Sequence, residues 1–247
     1  MFNEVLLAGL FIMFTTSLGS ALGVFFKKLP SWGLDFSLAF SGGIMLVASF
    51  TSLILPALEI GDFWKVAVGI VLGIAVINLI DIAVPHEKYL TRFSTKNEYA
   101  ERIKHISMIV TAIIIHNIPE GLAVGISMVN DTSKGWATAV AIGIQDIPEG
   151  LAVSLPLIFI TERIWVPILI GILSGLAELI FAVLGGLAFS TLSLLLPIGL
   201  SFAGGAMIYV TIKEVFPEVY KNGNEEEVTL GFSLGLLIML YLDTALG

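Results

Sequence analysis

The chain has 247 residues, of which 57% are hydrophobic and 13% charged, with a formal net charge of −8 and no cysteine. A soluble domain carries about 25% charged residues, so this composition excludes a water-soluble fold, a nucleic-acid-binding protein and a disordered linker. The lack of cysteine also excludes a disulfide framework and a thiolate metal site.

The hydrophobic residues form long continuous runs. About 20 apolar residues suffice to cross the hydrocarbon core of a bilayer. Eight segments meet that length within a few residues, and in chain order they are 5–26, 34–58, 63–84, 106–129, 135–160, 164–188, 192–216 and 228–246. A transmembrane β-barrel would instead have short segments of alternating polarity. We therefore predict an all-α polytopic membrane protein, one domain over residues 1–247 with eight transmembrane helices, in the plasma membrane or, for a bacterial source, the inner membrane.

The basic residues are divided unequally between the two sets of loops. Only Lys65 and Lys134 fall in one set. The other set holds the remaining ten, which are Lys27, Lys28, Lys88, Arg92, Lys96, Arg102, Lys104, Arg163, Lys213 and Lys221. Because an excess of basic residues marks cytoplasmic loops, we predict that both termini lie outside and that the longest connection, 85–105, faces the cytoplasm.

Two consecutive predicted spans share a repeated motif. Residues 116–124 read His-Asn-Ile-Pro-Glu-Gly-Leu-Ala-Val, and residues 145–153 read Gln-Asp-Ile-Pro-Glu-Gly-Leu-Ala-Val. Consecutive spans run in opposite directions, so this repeat predicts an inverted structural repeat, an arrangement in which transporters hold their substrate near the bilayer midplane. Pro119 and Pro148 lack a backbone N–H, and a glycine follows each, so we expect both helices to be broken there.

Acidic residues lie near the middle of three predicted spans. They are Glu120, Asp146, Glu149 and Glu178. An ionised carboxylate at the bilayer centre costs about 2.5–3.5 kcal/mol, so these groups must be protonated, paired or bound to a cation. The spans that carry them contain no lysine or arginine. A metal cation is therefore the simplest partner.

Helical spacing places an imidazole and amides beside these acids. Residues 116, 117 and 120 share one helix face, and residues 145, 146 and 149 repeat the spacing on the next span. The candidate ligands are His116, Asn117, Glu120, Gln145, Asp146, Glu149 and Glu178. This set suits a divalent transition ion of borderline hardness. By ligand count it also allows two adjacent metals that share Glu120 and Glu149.

Three other classes of function are alternatives to metal transport. An intramembrane metalloprotease needs a His-Glu-x-x-His helix, and the chain has no such motif. A di-metal oxidoreductase pairs Glu-x-x-His on its helices, whereas the order here is His-x-x-x-Glu. A proton- or sodium-coupled carrier of a small organic solute would also explain buried acids, and it stays the alternative.

The motif His116-Asn-Ile-Pro-Glu120-Gly, with a second Pro-Glu-Gly in the next span, resembles the ZIP (Zrt/Irt-like) metal transporters over all eight spans. Gln145-Asp146 before the second copy is similar to the bacterial GufA-like branch. The resemblance implies transport of Zn²⁺, or of Cd²⁺, Mn²⁺ or Fe²⁺, into the cytoplasm, with no catalytic cofactor and no enzymatic activity. It also implies a homodimer and an elevator-like movement of the metal-bearing helices.

By the same resemblance, the metal ligands fall into two positions. The first would be formed by His116, Glu120, Gln145 and Glu149. The second would be formed by Asn117, Asp146 and Glu178 with the same two glutamates. The outer entrance would be lined by Met45, Ser52, Glu59 and Asp243, and the cytoplasmic exit by Asp81, His86 and Glu214. The chain departs from the family at Lys213, where a histidine often precedes the acid, so we expect weaker or differently regulated metal capture at the exit.

Overall fold

The computed structural model describes residues 2–25, 30–83 and 115–246, and all regular structure in these ranges is helical. In chain order the helices are α1 Phe2–Phe25, α2 Ser31–Ala48, α3 Leu55–Ile60, α4 Phe63–Ala83, α5 115–130, α6 Thr132–Thr161, α7 Trp165–Thr191, α8 Leu196–Val210, α9 Phe216–Val219 and α10 Glu225–Leu246. The predicted all-α class is confirmed.

Six helical segments of the described ranges are long and apolar enough to cross a membrane. They are Phe2–Phe25, Ser31–Ile60, Phe63–Ala83, Trp165–Thr191, Ser193–Val219 and Glu225–Ala245. Each lies within a few residues of a predicted span. The two further long helices, α5 and α6, carry the repeated polar motif and overlap the predicted spans 106–129 and 135–160. The chain is thus a multi-pass membrane protein.

Two of the long helices contain a π-helical turn just before a proline. Ser49–Ile54 joins α2 to α3 ahead of Pro56, and Thr211–Val215 joins α8 to α9 ahead of Pro217. Proline donates no backbone hydrogen bond, and a π turn accommodates an additional residue and changes the direction of its side chains. These turns carry Ser52 and Glu214, two of the residues predicted to line the metal path.

The predicted breaks at the two repeated prolines are not observed. The helix 115–130 includes Pro119, and α6 stays helical through Pro148 over its whole length. Each proline removes one donor without ending the helix. Close packing follows directly after each proline, where Gly121 lies against α7 and Gly150 against α1. The prediction of broken helices was therefore wrong in the described residues, and the breaks of α2 and α8 were missed.

Aspartates cap two helices at the same end of the bundle. Asp131 accepts hydrogen bonds from the backbone N–H groups of Ser133 and Lys134 at the start of α6. Asp62 does the same for Trp64 and Lys65 ahead of α4. The backbone hydrogen bond from Lys65 is the main cause that holds the pKa of Asp62 below its ordinary value. Such caps satisfy N–H groups that have no partner within the helix.

The helices form two closely packed groups. In the first, which we call the site group, α1 packs along α6 and α7, and α5 packs along α7. In the second, which we call the frame group, α2 packs along α10, and α4 packs along α8; α3 and α9 continue α2 and α8. Among the helix contacts described, the main one between the groups is that of α2 with α6. Both copies of the repeated motif belong to the site group.

Glycines allow the close approach within each group. In the site group, a Cβ at Gly150 would lie 2.6 Å from the backbone nitrogen of Ser20. In the frame group, a Cβ at Gly43 would lie 2.9 Å from the backbone nitrogen of Leu236. With the exception of Gly199, the close approaches described for glycines join helices of the same group or adjoining turns. Small residues of this kind are typical of tightly packed membrane helices.

Candidate metal site

Three carboxylates from α5 and α6 meet in the interior of the bundle. Glu120, Asp146 and Glu149 each offer an oxygen, and these three oxygens lie within 4.8 Å of one another. Glu120 is fully buried and Asp146 is 1% exposed. We call these three residues the acid cluster. The repeated motif places it, because each copy contributes its Pro-Glu-Gly glutamate.

Three buried oxygens in and beside the acid cluster accept no hydrogen bond within the described residues. They are Oε2 of Glu120, Oδ1 of Asp146 and Oε1 of Gln145. The amide Nε2 of Gln145 donates to Oε1 of Glu120, so the amide oxygen lies beside the carboxylates. A buried acceptor without a donor costs about 1–3 kcal/mol, and nearly all buried polar groups have a partner. This arrangement of oxygens is suited to a bound cation.

Glu178 and Asn117, also predicted as ligands, have partners of their own. The carboxylate of Glu178 accepts hydrogen bonds from the amide of Asn117 and from the hydroxyl of Thr16, which lies 2.8 Å from both of its oxygens. Asn117 Nδ2 also lies 2.8 Å from the hydroxyl of Ser174. On the same side, Thr15 donates to Oδ2 of Asp146 at 3.1 Å. The second proposed position is therefore held together by hydroxyl and amide donors.

These hydroxyl donors were missed by the sequence analysis. Thr15, Thr16 and Ser174 are buried on α1 and α7. The adjacent threonines form a polar pair in the middle of an otherwise apolar span, and that is the signal that could have indicated them. Ser174 has no comparable signal, because isolated serines commonly bond to their own helix.

His116 connects the acid cluster with a residue predicted for the exit. Its Nδ1 lies 3.3 Å from Oε2 of Glu214, and both side chains are 19% exposed. Glu149 makes a second contact of this kind, because the hydroxyl of Ser41 on α2 donates to it. Two of the predicted ligands in the site group thus contact side chains of the frame group.

A cavity of about 500 Å³ leads away from the acid cluster. Leu34 and Leu38 of α2 and Ala152 and Val153 of α6 form part of its apolar wall. Its polar wall includes His116, Asn117, Asp146, Glu149, Glu178, Glu214 and Glu218. The cavity therefore runs from the acid cluster toward the end of the bundle where α2 begins and α9 ends.

The residues predicted for the entrance lie toward the opposite end. Met45 is fully buried and Ser52 is 2% exposed. Glu59 is exposed, and its Oε2 lies 3.5 Å from Nζ of Lys134. Asp243 on α10 is also within electrostatic range of Lys134. In this conformation two of the predicted entrance residues, Met45 and Ser52, are therefore buried inside the protein.

The residues predicted for the exit do not form one group. Glu214 lines the cavity, whereas Asp81 is 5% exposed and forms an ion pair with Lys213. The Tyr209 hydroxyl lies 3.2 Å from Asp81 Oδ2 and 2.9 Å from Asn78 Oδ1, so this network joins α4 to α8. His86 lies outside the described residues.

Comparison with known proteins gives a consistent assignment. Residues 85–243 match the family model described as ZIP Zinc transporter. The chain is 37% identical to Zinc transporter ZIPB of Bordetella bronchiseptica, with 94% of this chain and 78% of that protein covered. It is 36% identical to Zinc transporter GufA of Myxococcus xanthus (79% and 80% covered) and 30% identical to Zinc transporter ZIP11 of Homo sapiens (99% and 97% covered). On the strength of these matches and of the repeated motif that α5 and α6 share, the chain belongs to the ZIP zinc transporter family.

Proposed function

We propose that this protein transports divalent transition-metal cations, Zn²⁺ first, across the membrane into the cytoplasm. The observation that carries the proposal is the acid cluster. Within the described residues it has buried oxygens that accept no hydrogen bond, and a cavity leads away from it. Three relatives named as zinc transporters support the choice of zinc. Cd²⁺, Mn²⁺ and Fe²⁺ are further candidate substrates, because carboxylate and amide ligands discriminate weakly between them. The metal is cargo, and we expect neither a catalytic cofactor nor an enzymatic activity.

The cation would be held by the predicted ligands in two unequal positions. The first comprises His116, Gln145 and the shared Glu120 and Glu149. Its support is the pair of unpartnered oxygens on Glu120 and Gln145. The second adds Asn117, Asp146 and Glu178 to the shared glutamates. Thr16 and Asn117 already satisfy Glu178. Among the three residues that this position adds, Asp146 is the one with a buried oxygen that accepts no hydrogen bond within the described residues.

The proposed topology has eight transmembrane helices, with an inverted repeat and both termini outside. The cavity then opens toward the cytoplasm, and Met45, Ser52, Glu59 and Asp243 lie on the outer path. Asp81, His86 and Glu214 remain the proposed exit residues, of which Glu214 has the support of lining the cavity. The protein would act as a homodimer in the plasma membrane, or in the inner membrane of a bacterium.

Alternating access would come from movement of the site group relative to the frame group. The close glycine contacts within each group support this division, because they favour movement of each group as a unit. Such movement would carry the acid cluster past α2, a frame-group helix that packs against α6.

Uptake of zinc by vesicles that contain the purified protein tests the proposal. We expect zinc accumulation that saturates with concentration and is reduced by excess Cd²⁺ or Mn²⁺ in the outer solution. Glu226→Ala, a change of an exposed acid at the start of α10, is the matched control for Glu120→Ala. The alternative carrier of an organic solute predicts no zinc accumulation and no stabilisation of the detergent-solubilised protein by zinc.

A further inference from the structure

The boundary between the two helix groups passes directly beside the acid cluster. Ser41 lies on α2 in the frame group and is fully buried. Its hydroxyl donates to the carboxylate of Glu149 on α6, in the site group. The same hydroxyl oxygen lies 3.4 Å from the backbone carbonyl oxygen of Gln145. Ser41 thus faces the turn of α6 that carries three predicted ligands, Gln145, Asp146 and Glu149.

The hydrogen-bond donor of Glu149 lies in a different helix group from the donors of the other three buried acids. Asp146 accepts from Thr15, Glu178 from Thr16 and Asn117, and Glu120 from Gln145. All those donors belong to the site group and would move together with the acids. Among the side-chain hydrogen bonds described for the four acids, the bond from Ser41 is the one that crosses the boundary.

We propose that Ser41 is a positioning residue that holds Glu149, and with it the site group, in the conformation in which the cavity is open. The inference builds on the proposed movement of the two groups. Any displacement of α6 along α2 separates the two side chains, so the bond stabilises this conformation and not the other. Hydrogen bonds to charged groups are the strong ones, and a contact made in one of two states shifts the equilibrium between them.

The contact between His116 and Glu214 also joins the two groups. There the ligand in the site group meets a carboxylate of the frame group, at 3.3 Å. These two contacts therefore involve Glu149 and His116, side chains that the cation also needs. Binding of the cargo and retention of this conformation compete for the same two residues.

The absence of native cysteine allows a test by labelling of single introduced cysteines. Ser52→Cys places the reporter on the proposed outer path, where the side chain is 2% exposed in this conformation. Its reaction with a membrane-impermeant thiol reagent, added outside zinc-free vesicles, measures how often the outer path opens. We expect Ser41→Ala to raise the labelling rate about tenfold, the effect of losing one hydrogen bond to a charged group.

Two controls make the result specific. Ser37→Ala removes a hydroxyl one turn earlier on α2. Within the described residues that hydroxyl bonds to its own helix, at 2.9 Å from the carbonyl oxygen of Leu34. We expect this substitution to change the labelling rate less than twofold. Ser41→Thr keeps the hydroxyl and should restore the wild-type rate.

The proposal is overturned if Ser41→Ala and Ser37→Ala give the same labelling rate at Ser52→Cys. It is overturned as well if Ser52→Cys stays unlabelled in the Ser41→Ala background. Ser201→Cys is a further control, at a fully buried position in the contact between α4 and α8. The proposal is also overturned if Ser41→Ala raises the labelling rate of Ser201→Cys as much as that of Ser52→Cys, because equal increases indicate that the whole helix bundle has loosened. Zinc uptake is measured separately on the same vesicles. A wild-type protein that takes up no zinc would contradict the proposed cargo. The labelling result for Ser41 could still be interpreted, because that assay contains no zinc.

Discussion

Gln145 and Glu120 are joined side chain to side chain between α6 and α5, with the amide of Gln145 donating to Oε1 of Glu120. The bond leaves the amide oxygen and the second carboxylate oxygen buried, with no donor among the residues that the structure describes. Because both unpartnered atoms are oxygens, a cation between them would satisfy both at once.

Loss of either shared glutamate should abolish transport. Glu120→Ala and Glu149→Ala each remove charge from both proposed metal positions, so we expect zinc uptake to fall to near background in vesicles. Each variant should keep the elution profile of the folded protein, because a buried carboxylate is removed together with its desolvation cost. Wild-type uptake by either variant at normal expression would show that the site is misassigned.

The two proposed positions should respond differently to substitution. His116→Ala removes the one imidazole and should lower the maximal uptake rate strongly. Asp146→Asn and Glu178→Gln should leave residual transport and shift mainly the apparent affinity, since Glu178 is already satisfied by Thr16 and Asn117. Uptake measured against zinc concentration separates rate from affinity. Equal loss in all three variants would indicate one cooperative binuclear site.

Thr16→Val should destabilise the metal-free protein. The substitution keeps the side-chain volume and removes the donor that lies 2.8 Å from both Glu178 oxygens. Leaving a buried carboxyl oxygen without its partner costs about 1–3 kcal/mol, so the unfolding midpoint in detergent should fall. Thr51→Val is the control, because the hydrogen bond described for that hydroxyl goes to the carbonyl of Val47 in its own helix. Equal midpoints for the two variants would contradict the structural role of Thr16.

Much of the fold follows from the sequence because transmembrane helices are local features. Continuous apolar runs predict the helices and their ends within a few residues, as Phe63–Ala83 illustrates. The repeated motif indicates Glu120, Asp146 and Glu149 because helical spacing is fixed, and the structure brings these three together. By contrast, the partners Ser41 and Thr16 depend on how each helix is rotated against its neighbours, and no local pattern encodes that rotation.

The interruptions of the helices were the other part that the sequence did not reveal. Pro148 lies inside a continuous helix, whereas Pro56 and Pro217 follow π turns. A proline removes the same donor in every case, and the tertiary packing decides how the helix responds. The ion pair between Asp81 and Lys213 was likewise hidden, because the two residues are far apart in the chain.

Close packing within the site group predicts contrasting effects for two glycines. In Gly150→Ala the new methyl group would meet the backbone of Ser20 and Gly19 at 2.6 and 2.8 Å, so helix α1 must move. We expect a loss of about 1–3 kcal/mol, the usual cost of overpacking. In Gly185→Ala the nearest atom is a side-chain carbon of Ile126 at 3.2 Å, which can adjust. Thermal unfolding should separate the variants, and equal midpoints would contradict the packing described here.

Acid should weaken zinc binding. Carboxylates and imidazole must give up their protons to bind a metal, so binding releases protons and the dissociation constant rises as the pH falls. We expect calorimetric titrations in two buffers of different ionisation enthalpy to give a positive number of protons released for each zinc bound. Zinc binding without any release of protons would contradict this expectation.

The most direct test of the metal site is an anomalous difference map from crystals of the protein grown with Cd²⁺. We predict a strong peak at the acid cluster, between Glu120, Asp146 and Glu149, with the amide oxygen of Gln145 beside it. Peaks confined to exposed acids such as Glu59 or Glu218, with none at the acid cluster, would contradict the assignment of these residues as the site that holds the transported cation.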